Sequence, residues 1–237
     1  MTNAALKAVG GPALDNAFLT NVDDATELIL VRHGQQEIDH ATATVLDMVD
    51  PPLSARGRIQ ARLVGERFRA QKIDAVYAST LQRARDTGEQ IAGHHDLAPI
   101  IDHELREIEI FRDAPPDRTP LDVFGRDRLV GIRNRMTREQ TWDVYPLSES
   151  SFEFRKRVCN SIEAILAANR GKRIVVACHG GVINTYIGSL IGIDHDMWFR
   201  PAHTAVNTVK ARDHVRAVDY LNDIHHLRAY EGDVISW

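Results

Sequence analysis

Leu28-Ile29-Leu30-Val31-Arg32-His33-Gly34 is the stretch that decides the fold. Four apolar residues in a row, two of them Ile and Val, are expected of a short strand covered on both faces. The strand ends in Arg-His-Gly, which combines a cation, an imidazole and a residue without a Cβ. Two later stretches repeat the arrangement. Ala75-Val76-Tyr77-Ala78 is a second strand and runs into Ser79-Thr80-Leu81-Gln82-Arg83. Arg173-Ile174-Val175-Val176-Ala177-Cys178 is a third and runs into His179-Gly180-Gly181.

Helical patterns lie between these strands. Ile59, Leu63, Val64 and Phe68 make one broad apolar face after Ser54, a candidate N-cap. Leu81, Ala84, Gly88 and Ile91 follow helical spacing, with Ser79 or Thr80 as the expected cap. Phe154, Val158, Ile162, Ile165 and Leu166 mark a long helix. Near the end, Val206 to Ala211 and Val215 to Leu221 read as two strands around a turn at Asp213-His214. Alternating strands and helices imply an α/β domain with a mainly parallel sheet, to which the last pair adds an antiparallel edge.

Outside this frame stand two segments. Residues 1 to about 25 are rich in Ala, Asn, Gly and Asp and read as an N-terminal extension, a poorly ordered arm or a segment docked on a partner subunit. The domain proper then spans 26–237. Within it, residues 112–148 carry Pro115, Pro116, Pro120 and Pro146 and many Arg and Asp residues, as an insertion or lid with short helical pieces would. Its arginines Arg112, Arg118, Arg126, Arg128, Arg133 and Arg135 are candidate contacts for a second anion.

Composition excludes several function classes. A net charge of −4 gives no electrostatic footprint for nucleic acid. No apolar run is long enough to span a membrane. The start of the chain lacks the basic and apolar regions of a secretory signal, so the expected compartment is the cytoplasm. Cys159 and Cys178 make neither a disulfide framework nor a CxxC metal pair. His94-His95-Asp96 and Asp223-Ile224-His225-His226 are incomplete as metal-ligand sets and read as loop or turn residues.

Ligands bind outside the carboxyl ends of strands in open α/β sheets. If the three strands are neighbours, His33, His179, Arg32 and Arg83 meet in one crevice. These residue types suit phosphoryl transfer. A guanidinium fork donates two parallel hydrogen bonds to phosphate oxygens. A neutral imidazole is a competent nucleophile once its other nitrogen is tied. A glycine after each histidine, Gly34 and Gly180, lets a backbone N–H approach an anion. Two arginines and a protonated second histidine would stabilise transition-state charge without a metal.

At this point the chain resembles the histidine phosphatase superfamily, which includes the cofactor-dependent phosphoglycerate mutases. The resemblance rests on Arg32-His33-Gly34, on Asp50-Pro51-Pro52-Leu53-Ser54 with Gly57-Arg58 and Gln60-Ala61, and on Ser79 to Thr87. It continues through Leu105-Arg106-Glu107, Glu149-Ser150 with Arg157-Val158, Val176 to Val182, and Asn222-Asp223 with His226-Leu227. It implies a phosphoglycerate mutase-like three-layer α/β/α sandwich around a mainly parallel sheet with an antiparallel edge strand. It also implies roles: His33 attacks phosphorus, Arg32, Arg83, His179 and Gly180 bind the phosphoryl oxygens, and Glu107 serves as acid and then base. Glu104 and Glu109 lie close enough in sequence to compete with Glu107, and Arg85 with Arg83. No metal or cofactor is expected. The partner is a small phosphorylated substrate, with a homodimer suggested by the resemblance.

Two positions depart from the family pattern. Gln36 stands where a hydroxyl residue is usual and Asp39 where Asn is usual. An ionised carboxylate repels phosphate or accepts a hydrogen bond, so Asp39 points away, pairs with a base or reads another part of the substrate. Neither the Trp-Glu-Gly common in the phosphatase branch nor the longer acid motif of the mutases is present. The expected activity is hydrolysis of a phosphomonoester. Phosphoglycerate mutase activity and a weakly active phosphate-binding or scaffolding module are the alternatives.

Overall fold

The computed structural model describes residues 13–237. Its six-stranded sheet comprises β1 (Thr26–Arg32), β2 (Ala75–Ser79), β3 (Ile100–Asp102), β4 (Arg173–Cys178), β5 (Val206–Arg212) and β6 (Val215–Asp223). The order is β3-β2-β4-β1-β5-β6. The first four strands run parallel, and β5 and β6 continue the sheet antiparallel to β1 and to each other. The antiparallel edge is therefore a hairpin of two strands. Asp213, at the expected turn, takes a positive φ of 49°.

Both faces of the sheet are covered, which is why β1 shows no polar alternation. Leu28 and Leu30 pack on one face with Phe154, Val158, Ile162 and Ile165 of α6 (Ser151–Ala168) and with Val182, Ile183 and Tyr186 of α7 (Gly180–Ile191). Ile29 and Val31 point the other way, as alternate strand residues must. They pack with Val64 and Phe68 of α2 (Ala55–Phe68) and Ile91 of α3 (Gln82–Ala92). The result is the expected three-layer α/β/α arrangement.

Helix α2 begins as the sequence indicates, with the Ser54 hydroxyl accepting from the Gly57 N–H at 3.0 Å. Helix α3 does not. Its N-cap is Leu81, without a side-chain cap, and the Ser79 hydroxyl instead accepts from the Leu81 N–H at 3.2 Å. That leaves Ser79, fully buried, facing a histidine of the site described below.

Residues 112–148 hold α4 (Pro120–Phe124) and α5 (Arg126–Glu139). Short pieces were expected, but α5 is 14 residues long. The four prolines bracket it and leave its interior free to form a regular helix. Phe111, Ala114, Val123, Phe124, Leu129 and Tyr145 make a small separate core with Val45. Val45 belongs to α1 (Val45–Val49), a five-residue helix with a Thr44–Asp47 capping box. A helix this short carries no periodicity and was not anticipated, nor was the three-residue β3.

The expected N-terminal arm falls partly on residues 1–12, which lie outside the described residues. Of the remainder, 13–18 is helical and Leu19 is buried. The Arg212 guanidinium donates to Asn16 and pairs with Asp24 at 3.1 Å. Among the described residues no helix is long and apolar enough to cross a membrane.

Candidate active site

The condition left open by the sequence is met: β2, β4 and β1 lie side by side and parallel, with Arg32 level with Cys178 and Ala78 with Ala177. Their carboxyl ends therefore deliver Ser79, His179 and His33 to one place. The His33 and His179 ring centroids are 5.0 Å apart.

His33 is almost wholly buried, and its backbone N–H donates to the Cys178 carbonyl at 2.9 Å. Its Nδ1 sits 2.7 Å from the Gly34 carbonyl oxygen. A carbonyl only accepts, so Nδ1 carries the proton and Nε2 keeps its lone pair. The Arg83 Nε–H points at that Nε2 from 3.3 Å. Burial, then the charge of Arg83 and the neighbouring His179 and Arg32, push the His33 pKa well below its ordinary value. The imidazole thus keeps one lone pair, on Nε2, buried and facing a guanidinium.

Arg83 is buried in the first turn of α3. It is steadied by the Val49 carbonyl at 3.2 Å and, more loosely, by Asp50 at 3.8 Å. Its rival Arg85 is exposed and lies 4.0 Å from Glu89. Arg32 donates to the Pro201 carbonyl at 2.6 Å, while its buried Nε has no partner among the described residues. Desolvation lowers the Arg32 pKa to about 10, opposed by the carboxylate of Glu107. His179 approaches the Ser79 hydroxyl through Nε2 at 2.9 Å, and its Nδ1 is buried without a partner. Burial and the charges of Arg83 and Arg32 push its pKa well below the ordinary value. Gly180 follows at the start of α7, next to the Arg32 side chain.

A model of the histidine phosphatase superfamily (branch 1) matches residues 28–224. The chain belongs to the histidine phosphatase superfamily. Relatives include a protein of Hydrogenobacter thermophilus named "Putative phosphoserine phosphatase 2". It is 25% identical over 203 residues, which cover 85% of this chain and 97% of that one. A protein of Serratia proteamaculans named "Probable phosphoglycerate mutase GpmB" is 30% identical over 171 residues, 70% of this chain and 75% of that one. Among solved structures, Bacillus stearothermophilus YhfR superposes with a TM-score of 0.71 at 26% identity. The match covers 86% of this chain and all of that one.

The three acidic residues Glu104, Glu107 and Glu109 take different partners. Glu107 Oε2 accepts from the Gly181 N–H at 3.0 Å and Oε1 from the Ile108 N–H at 3.1 Å. A Cβ on Gly181 would collide with the Glu107 carboxylate, so the glycine is what admits it. Glu109 turns to Arg106 at 3.0 Å, and Glu104 is exposed beside His103. The segment is not a strand, so the two-residue spacing of Glu107 and Glu109 does not put them on one side. Arg157 holds this segment. It pairs with buried Glu149 at 2.6 and 2.8 Å and donates to the carbonyls of Glu104, Arg106 and Glu107 at 2.6, 2.9 and 3.2 Å.

One residue of the site was missed. His203 lies with its ring centroid 5.7 Å from that of His33. It is buried, its Nδ1 is 2.9 Å from the Ser236 hydroxyl, and its Nε2 has no partner among the described residues. Burial and Arg32 lower its pKa to about 3. His203 precedes β5, and an antiparallel strand brings its amino end to the carboxyl end of β1. Only the pairing of Val31 with Val206 reveals this.

Asp39 points away from the site. Its carboxylate accepts from the Ala41 N–H and the Thr42 hydroxyl, both at 3.0 Å, in an exposed turn. These bonds lower its pKa. Gln36 remains beside the site, its amide oxygen buried and unpartnered among the described residues. Among the described residues, no group of three or more His, Cys, Asp or Glu side chains is arranged to hold a metal ion.

Proposed function

We propose that the protein hydrolyses a phosphomonoester through a phosphohistidine on His33. The observation that carries this reading is the Nε2 lone pair of His33, fixed by the Gly34 carbonyl and facing Arg83 at 3.3 Å. A phosphoryl group placed there meets a nucleophile and a bidentate cation together. In the first step Nε2 forms a bond to phosphorus as the P–O bond to the alcohol breaks, and Glu107 delivers the proton that the alcohol oxygen takes. In the second step Glu107 takes a proton from water, whose oxygen displaces Nε2 and releases phosphate.

Arg83, Arg32 through its unpartnered Nε, the Gly180 backbone and the neutral His179 bind the phosphoryl oxygens. Their dipoles and charges are already in place, so little reorganisation accompanies the transfer. The name of the Hydrogenobacter relative supports phosphatase chemistry. The name of the Serratia relative raises phosphoglycerate mutase activity as the second reading.

The test is hydrolysis of phenyl phosphate in the presence of a chelator. His33→Ala should lower kcat by about 10³-fold or more. Rapid quenching at alkaline pH should trap an acid-labile phosphoryl group on wild type and none on the variant. Equal rates in the two proteins overturn the reading. Interconversion of 2- and 3-phosphoglycerate faster than their hydrolysis would favour the mutase reading.

A further inference from the structure

Arg83 and Glu107 both line a cavity of about 350 Å³, within the size range of small-molecule sites. Most of the other lining residues are apolar. Leu46, Met48 and Val49 of α1 form one wall; Leu81, Ile110 and Trp142 contribute others. Leu46 is 64% exposed and Val49 40%. A five-residue helix thus presents two large apolar side chains to water beside the phosphoryl site. Exposed apolar surface next to buried charge is informative in a way that a single surface leucine is not.

The charged groups of this cavity do not offset its character. Arg106 is engaged by Glu109 at 3.0 Å and Thr80 at 3.4 Å, and Arg112 lies 3.5 Å from Asp113. A substrate carboxylate would have to compete with these carboxylates for the same guanidinium groups. Three polar atoms without partners among the described residues belong to lining residues: Gln36 Oε1, Arg106 Nε and Trp142 Nε1. A few fixed polar atoms in an apolar wall orient a ligand without making the site hydrophilic.

We infer that the alcohol portion of the substrate is apolar: the site takes an alkyl or aryl phosphomonoester in preference to a small polyhydroxylated or carboxylated one. This rests on the phosphatase reading, because that reading makes Arg83 and Glu107 the phosphoryl end of the cavity. Burying a carbon chain against α1 removes apolar surface of both partners from water, whereas the several hydroxyl, amino and carboxyl groups of glycerol or serine esters would be desolvated with only those three atoms to meet them.

The experiment uses esters of primary alcohols, so that leaving-group reactivity is similar. n-Hexyl phosphate should exceed glycerol 3-phosphate and O-phosphoserine in kcat/KM by about tenfold or more, since even one methylene in an apolar pocket is worth about that. Leu46→Asp, at an exposed position where folding is not at stake, should reduce the hexyl-to-glycerol ratio by about tenfold. Calorimetry with the non-hydrolysable pair n-hexylphosphonate and methylphosphonate reads the same cavity without turnover. The hexyl compound should bind about tenfold tighter or more.

Equal or better hydrolysis of the polar esters, or an unchanged ratio in Leu46→Asp, overturns the inference and leaves the phosphatase reading intact. Tight hexylphosphonate binding without hydrolysis of any ester overturns the phosphatase reading and leaves the apolar subsite standing. Equal binding of the two phosphonates removes the subsite.

Discussion

Arg157→Leu should cost the protein much of its stability and most of its activity, for two separable reasons. The guanidinium has two bonds to Glu149 and three to the carbonyls of residues 104, 106 and 107. The Glu149 side chain is only 5% exposed and that of Arg157 16%, so the pair is poorly screened by water. Removing one member of such a pair leaves a buried charge uncompensated, at a cost of about 3–5 kcal/mol. For a chain of this length each kcal/mol lowers Tm by roughly 2–4 °C, so a fall of about 10 °C is expected. Urea unfolding followed by circular dichroism measures the free energy directly. The double variant Arg157→Leu/Glu149→Leu removes the stranded carboxylate and should recover part of the loss, because an apolar pair can replace an ion pair at little cost. Activity should not recover with it: the three carbonyls stay unheld, and Glu107 loses its position. A single variant within about 1 kcal/mol of wild type, or a double variant as unstable as the sum of both singles, would refute this account of the clamp.

Three further outcomes follow from the site. Stability should fall as pH drops below about 6.5, the ordinary histidine value, because His33, His179, His203 and His226 are held neutral when folded and protonate when unfolded. The loss should continue towards the folded values of about 4 for His226 and about 3 for His203, at up to about 1.4 kcal/mol per pH unit for each. A flat urea midpoint from pH 7 to pH 5 would contradict it. Gly181→Ala should reduce kcat by about 10²-fold by displacing the Glu107 carboxylate; steady-state kinetics with phenyl phosphate would show normal turnover if the carboxylate is not used. His203→Ala should lower kcat/KM by about 10²-fold if Nε2 serves a phosphoryl oxygen, and unchanged kinetics with intact stability would assign His203 to packing alone.

The strands and their endings were legible because they depend on local chemistry. A buried parallel strand needs an unbroken apolar run, and Leu28–Val31 and Ile174–Cys178 supply it whatever lies around them. The same holds for the Ser54 cap and for the candidate phosphate ligands, whose residue types and order were readable before any contact was known. Elements shorter than two periods were not legible: α1 spans five residues and β3 three, too few for a pattern to repeat. The cap of α3 was misassigned because the sequence cannot say that Ser79 is drawn towards His179.

By itself, then, the chain specified an α/β sheet with Arg32-His33-Gly34 and His179-Gly180 at strand ends, and with Arg83 as the candidate second phosphate ligand. Tertiary structure alone decided which groups share the crevice. It held Glu107 on the N–H of Gly181 and Glu109 on Arg106, turned Asp39 outward into its own turn, and brought His203 in from the segment ahead of antiparallel β5. It also set α1, with Leu46 and Val49 exposed, beside Arg83. These outcomes depend on strand order and on packing between segments distant in sequence. No local pattern encodes such contacts, because their energies arise only when the segments meet.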